Sequence, residues 1–286
     1  MPLQLTNIGV IRELFERHGF SFTKALGQNF IINPAVCPKI AENGGCKKGV
    51  CALEIGTGVG VLTQELAKRC DKVAAVEIDE GLRPILAETL ADYDNVEIVF
   101  ADVMQTDLAA LIAEKFGNSE VVVCANLPYY ITSPVIMRIL ESRLNVSAVT
   151  VMVQKEAADR ICAKPGTRGC GAISCAVSYY SEPKLLFRVN RGSFMPAPNV
   201  DSAVIRLDIK KGEHLPPERE KALFRIIRAA FSQRRKQLAN PLSAELGIPK
   251  QELCGIMQSV GISPTARAEE LALEKFLALE SALYKG

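Results

Sequence analysis

Between residues 50 and 153 the chain alternates strand-like and helix-like segments, and this alternation constrains its fold most. Strand-forming runs occupy 50–55, 72–77, 96–100, 121–125 and 148–153. Helical patterning fills 61–69 and about 80–91. Strands separated by helices cannot pair as hairpins. They need crossovers, which give a parallel sheet with helices on both faces, an α/β fold. Beyond it, 172–180, 184–189 and 200–209 are apolar or alternating, with no room for full helices between them. They predict an antiparallel finish to the sheet.

The remaining segments frame that sheet. Ile8, Ile11, Leu14 and Phe15 predict a helix over 6–18, capped by Thr6 or Asn7. Residues 22–30 read as a polar and aromatic loop, and Asn33-Pro34 opens a further turn or helix. Lys210-Lys211-Gly212-Glu213-His214-Leu215-Pro216-Pro217 breaks the composition and predicts a linker. Beyond it the pattern is helical. Leu223, Ile226, Ile227, Ala230 and Phe231 form one stripe, and Ser263-Pro264 predicts the capped start of a last helix reaching about Tyr284. The expected domains are therefore 1–209, built on the sheet, and 210–286, all helical.

Ligands of open α/β sheets bind beyond the carboxyl ends of the strands. Four successive strands here end in Gly56, Glu77, Asp102 and Asn126. Glu77 is placed to accept from ribose hydroxyls, and Asp102 from the exocyclic amine of a purine. Gly56-Thr57-Gly58-Val59-Gly60 departs from the dinucleotide fingerprint, which wants its third glycine where Val61 stands, and it lacks the Gly-Lys-Ser/Thr of a phosphate loop. Close backbone approach is kept without a phosphate site. The expected cofactor is a nucleoside with an amino-acid tail, S-adenosylmethionine.

Asn126-Leu127-Pro128-Tyr129 follows the strand at 121–125. An isolated Asn-x-Pro-Tyr reads first as a strand followed by a turn, and the rest of the chain decides. Beside a nucleoside site it supplies what a flat, amine-bearing ring requires. The Asn126 side-chain carbonyl and the Pro128 main-chain carbonyl would accept from the amine, and the Tyr129 ring would stack on the face.

Charge points to the partner. Residues 131–236 hold 19 Lys/Arg against 9 Asp/Glu, whereas the rest holds 15 against 23. A one-sided basic footprint on a chain of net charge +2 implies a polyanion, and nucleic acid is the expected one. The nine cysteines lie in apolar contexts without a C-x-x-C pair, and there are two histidines. That argues against a disulfide framework and a metal site. No apolar run is long enough to span a membrane, and no signal peptide is read at the start, so a cytoplasmic protein is expected.

Taken together, these stretches resemble the ribosomal RNA adenine N6,N6-dimethyltransferase family, from Phe22 to the last helix. The matching motifs are Leu26-Gly27-Gln28-Asn29-Phe30, Leu53-Glu54-Ile55-Gly56-x-Gly58-x-Gly60-x-Leu62-Thr63, Val76-Glu77-Ile78-Asp79, Asp102 and Asn126-Leu127-Pro128-Tyr129. Further matches are Gln154-Lys155-Glu156, Phe194-x-Pro196-x-Pro198-x-Val200-Asp201-Ser202-Ala203-Val204 and Phe231-x-Gln233-Arg234-Arg235-Lys236. The resemblance implies a Rossmann-like class I methyltransferase sheet with a small C-terminal helical domain. It further implies a monomer acting on 16S rRNA in the small ribosomal subunit or its precursor. It assigns Asn29 and the backbone at Ile31 to closing over the cofactor, and Gly56 to the methionine part. Glu77 would hold the ribose, Asp102 the cofactor adenine, and Asn126 would link cofactor to substrate. Tyr129 and Phe194 become the two faces of an adenine clamp, and Arg234, Arg235 and Lys236 contact RNA. Thr57, Tyr130, Ala197 and Asn199 depart from common family residues without removing a group that has a chemical role. The sister family that methylates 23S rRNA and a non-catalytic assembly factor are the competing readings.

Overall fold

The computed structural model describes residues 3–21, 27–212, 214–233 and 236–284. Helix α1 (Ile8–Arg17) starts where the Asn7 side chain accepts the Gly9 N–H, and it buries Ile11, Leu14 and Phe15. Strand β1 (Phe30–Ile31) and helix α2 (Val36–Asn43) lead into the alternating region. There follow β2 (Val50–Ile55), α3 (Val61–Ala67), β3 (Lys72–Glu77), α4 (Arg83–Thr89), β4 (Val96–Phe100), α5 (Leu108–Phe116), β5 (Glu120–Asn126), α6 (Thr132–Glu141), β6 (Ala148–Gln154) and α7 (Lys155–Ile161). The five expected strands form and pair in parallel.

The apolar runs make the central strands insoluble on both faces. All six residues of β2 are buried. Val50, Ala52, Val73, Val122 and Met152 pack with Val36, Ile40, Leu62 and Leu66 of α2 and α3. Leu53, Val76, Val123 and Val151, which project oppositely on the pleat, are equally buried.

The second half corrects one expectation. The segment 172–180 is not a strand but helix α8 (Ala172–Tyr180). An apolar run without charges hides its period, so hydropathy alone leaves helix and strand open. Local hydrogen bonding decides: the Ser174 hydroxyl accepts from the Gly171 N–H at 2.9 Å and donates to the Arg160 carbonyl at 2.6 Å. Strands β7 (Ser181–Val189), β8 (Phe194–Met195) and β9 (Ser202–Ile209) follow. The seven-stranded sheet has the order β4-β3-β2-β5-β6-β9-β7, with β9 antiparallel to β6.

Helices α9 (Pro217–Ser232), α10 (Ala239–Leu246), α11 (Lys250–Ser259) and α12 (Leu273–Leu283) complete the chain. The last helix begins later than Ser263-Pro264 suggests. There the chain makes a single turn, with the Ala266 N–H on the Ser263 carbonyl at 3.0 Å. A second short turn over Ala268–Glu270 intervenes before α12.

The chain divides into two units, Met1–Ala158 with Lys184–Ile209, and Asp159–Pro183 with Lys210–Gly286. The expected change at 209/210 coincides with one of these boundaries, but 159–183 falls with the helical unit rather than within a sheet domain of 1–209. The reason is aromatic. Tyr180 stacks on Phe224 at 5.6 Å, Tyr179 meets it edge-on at 5.4 Å, and both hydroxyls donate to Glu220. In the same unit Glu280, fully buried, accepts two bonds from the Arg219 guanidinium at 2.9 and 2.7 Å. Phe276 is also fully buried, 6.2 Å from Phe231. Phe276→Ala should destabilise the protein by about 3–5 kcal/mol in urea unfolding, the usual effect of an emptied aromatic site.

Candidate active site

Gly56, Glu77, Asp102 and Asn126 meet at one cavity of about 310 Å³ within the first unit. The sheet brings them there: Ile55 stands opposite both Val76 and Ala125, so the next residues of the three strands emerge at one level. Gly56 and Gly58 turn the chain away from β2 with φ of +80° and +56°. A Cβ at Gly58 would come within 3.2 Å of the Phe30 ring. Both positions need glycine for conformation, and Gly58 needs it for space as well.

Glu77 is 5% exposed and ties the turn to the end of β3. Its Oε2 accepts the Thr57 hydroxyl at 2.8 Å and the Gly58 N–H at 3.1 Å. Its Oε1 accepts the Ile78 and Asp79 N–H groups, both at 2.9 Å. Asp102 takes one donor per oxygen, the Met104 N–H at 2.8 Å and the Gln105 amide at 3.0 Å. Each Asp102 oxygen therefore keeps a lone pair for a further donor.

At the opposite wall, Asn126 ends β5 and its amide N–H reaches the Asn29 carbonyl at 3.5 Å. The Pro128 carbonyl faces the start of α6, accepting the Ile131 N–H at 3.2 Å and the Thr132 hydroxyl at 3.1 Å. Both its lone pairs are used. The Leu127 carbonyl, one residue earlier on the same wall, accepts no hydrogen bond among the described residues and is the freer acceptor. The Tyr129 hydroxyl is fixed to the Ser202 hydroxyl at 2.7 Å. Burial raises its pKa above the usual 10.0, the Ser202 bond works against that, and the Asp201 charge adds to it.

Phe194 and Ile31 arrive together. Strands β1 and β8 pair antiparallel with Ile31 opposite Phe194, and the Ile32 N–H donates to the Ser193 carbonyl at 2.8 Å. Phe30 is held from behind by Phe15, 5.3 Å away. Asn29 braces the loop through its side chain, which donates to the Gly27 carbonyl at 2.9 Å. Gln28, which has no role assigned from the sequence, donates to Asp79 at 2.6 Å. All nine residues expected for cofactor and adenine line this one cavity. Lys236 is exposed on the helical unit, and Arg234 and Arg235 lie outside the described residues. That unit has its own cleft, of about 420 Å³, lined by Arg225, Arg228, Ser232 and Gln233.

Glu54 is part of the glycine-turn motif, but the sequence assigned it no role. It lies in the cavity wall, fully buried, and neither carboxyl oxygen has a hydrogen-bond partner. Burial pushes its pKa well above the ordinary 4.5; the Thr63 hydroxyl beside it relieves this only in part, and the Glu77 charge adds to it. The available signal was an acid in a strand otherwise wholly apolar. An orphaned carboxyl on the wall, with acceptors at Glu77 and Asp102 and a glycine cradle between, fits a ligand that carries hydroxyls, an amine and positive charge. Among the described residues no cluster could hold a metal ion.

Fold and site together define a class I methyltransferase, and the comparisons take this further. A family model described as "Ribosomal RNA adenine dimethylase" matches residues 19–285. The chain therefore belongs to the ribosomal RNA adenine dimethylase family, whose reaction is S-adenosylmethionine-dependent methylation of adenine in ribosomal RNA. It is 47% identical to the Ribosomal RNA small subunit methyltransferase A of Geobacillus thermodenitrificans (strain NG80-2), over 99% of this chain and 98% of that one. The namesake protein of Alkaliphilus oremlandii (strain OhILAs) is 45% identical over 96% of each. Among solved structures, a dimethyladenosine transferase from Plasmodium falciparum aligns with a TM-score of 0.76 and 26% identity, over 90% of this chain and 98% of that one. The 23S rRNA methyltransferase ErmE aligns at 0.69 and 25%, over 90% and 100%.

The state of Glu54 has a consequence for stability. Its folded pKa lies above the unfolded value, so the folded protein keeps a proton that the unfolded chain releases. Its contribution is fully present below about pH 4.5 and is lost as the pH rises toward the folded pKa. Glu54→Gln should remove this loss. Its unfolding free energy in urea should gain on the parent protein as the pH rises above about 5.

Proposed function

We propose that this protein transfers methyl groups from S-adenosylmethionine to N6 of two adjacent adenosines, each dimethylated, in a hairpin loop near the 3′ end of 16S rRNA, during small-subunit biogenesis. The observation that carries this reading is the single cavity with two differently equipped ends. Gly56, Glu77 and Asp102 suit a nucleoside cofactor, and Asn126, Tyr129 and Phe194 suit a purine with an exocyclic amine. The relatives at 43–47% identity bear small-subunit names, and the fold fits the dimethyladenosine transferase better than the 23S enzyme.

When bound, the cofactor supplies a methyl group already activated on a sulfonium. The protein's task is to aim a poor nucleophile, because the N6 lone pair of adenine is delocalised into the ring. The Asn126 side-chain oxygen accepts one N6 hydrogen. A main-chain carbonyl of the 127–128 turn accepts the other, and Leu127 offers one without first displacing Thr132. Accepting both hydrogens turns the lone pair out of the ring plane and points it along the line of attack. Tyr129, fixed through Ser202, and Phe194, fixed by the β1–β8 ladder, replace the stacking the base loses on leaving the RNA. The methylated nitrogen is strongly acidic and loses its proton to solvent without a dedicated base. Neither histidine lines the cavity. A first product retains one N6 hydrogen, so a second transfer can follow. The basic helical unit, with Arg234, Arg235 and Lys236, contacts the RNA backbone. The protein works as a monomer in the cytoplasm.

Tritiated methyl transfer to small subunits lacking this modification should place label in dimethyladenosine of 16S rRNA; label confined to large-subunit RNA would overturn the reading. Asn126→Ala should lower methyl transfer on the order of 100-fold, as for other preorganised transition-state hydrogen bonds, and leave calorimetric cofactor affinity within about twofold. Arg234 and Arg235 replaced together by Ala should weaken RNA binding at low salt and flatten the log–log salt slope by roughly 1.5 in filter binding.

A further inference from the structure

Glu77 is the most fully engaged polar group on the cavity wall. A carboxylate offers about four acceptor positions, and here the four are taken by the N–H groups of Gly58, Ile78 and Asp79 and by the Thr57 hydroxyl. Three of these donors are main-chain groups fixed by the turns that carry them. The Thr57 hydroxyl alone can leave by a rotation about its own Cα–Cβ bond. Thr57 and Glu77 both line the cavity and are each 5% exposed, so the bond faces the cavity and is little exposed to bulk water.

We propose that the Thr57 hydroxyl occupies on Glu77 the place of a cofactor ribose hydroxyl, that cofactor binding displaces it, and that Thr57 thereby sets the cofactor affinity. The inference rests on the reading that Glu77 holds the ribose. A ribose hydroxyl approaching Oε2 meets a filled acceptor. Binding exchanges one hydroxyl–carboxylate bond for another, and the gain is smaller than a vacant carboxylate would give. Removing the Thr57 hydroxyl leaves a buried carboxylate one donor short in the free protein and fully satisfied in the complex. The free state alone is raised in free energy, so affinity increases by linkage. Thr57 is thus a positioning residue acting through Glu77.

The test is calorimetric titration of the full-length protein with S-adenosylhomocysteine and with its 2′,3′-dideoxy analogue. Thr57→Val, which keeps the shape and drops the hydroxyl, should bind S-adenosylhomocysteine roughly 3- to 10-fold more tightly, the size of one net hydrogen bond. Thr57→Ala should behave alike if the valine variant fails to fold, and Thr57→Ser should stay within about twofold of the parent. The gain should be missing with the dideoxy analogue. Without ligand the valine variant should melt at lower temperature, and saturating S-adenosylhomocysteine should narrow the difference. Unchanged or weaker binding by both hydroxyl-free variants would overturn the inference, as would an equal gain with the dideoxy analogue. Glu77→Ala separates the two levels, with an expected loss of roughly 10-fold or more. If that loss appears without a gain at Thr57, the inference alone fails. If Glu77→Ala binds as the parent does, the ribose reading fails with it.

Discussion

The register of the parallel strands is the constraint on which the site depends. Ile55 pairs with Val76 on one side and with Ala125 on the other. A slip in either ladder would move Gly56, Glu77 and Asn126 to different heights and turn alternate side chains to the opposite face. The slip is prevented because both faces of β2, β3 and β5 are apolar and covered, so any shift drags packed side chains out of place. Chemistry at the strand ends is therefore stabilised by packing well away from it.

A second, smaller ladder completes the cavity. Strands β1 and β8 are two residues each and lie more than 160 positions apart in the chain, yet they bring Phe30, Ile31 and Phe194 to one edge of the site. So short a pairing contributes little by itself. It is held by Phe15 and Phe20 against Phe30, and by the Asn33 amide on the Ser193 hydroxyl at 3.1 Å. The part of the cavity lining that carries Phe30, Ile31 and Phe194 thus depends on the N-terminal helix through Phe15.

The buried acids show two ways of managing charge. Glu77 is satisfied by four donors and Glu280 by a two-pronged arginine, whereas Glu54 sits in a wall without a partner. An unpaired buried carboxyl is costly in the folded state, and such costs gather where a ligand is to be met. Of the acids lining the cavity it is Glu54, two residues before Gly56, that stays unpaired, so the stretch of chain that carries the glycine turn also carries this cost.

The sequence by itself determined the α/β class, the five parallel strands with their polar ends, the change to helices after residue 209 and the family. Those features are local: period, turn residues and short motifs are written in contiguous stretches. The tertiary structure decided what depends on distant partners. Residues 172–180 became a helix because Ser174 binds Gly171 and Arg160, and their tyrosines joined Phe224, which moved 159–183 out of the sheet unit. Ser263-Pro264 began only a turn, and the last helix waited for Leu273. The carbonyl of Pro128 was committed to Ile131 and Thr132, and Glu77 arrived already holding Thr57. Which acceptor is free and which is filled depends on the groups that the fold brings within hydrogen-bond reach, and no spacing in the chain records that.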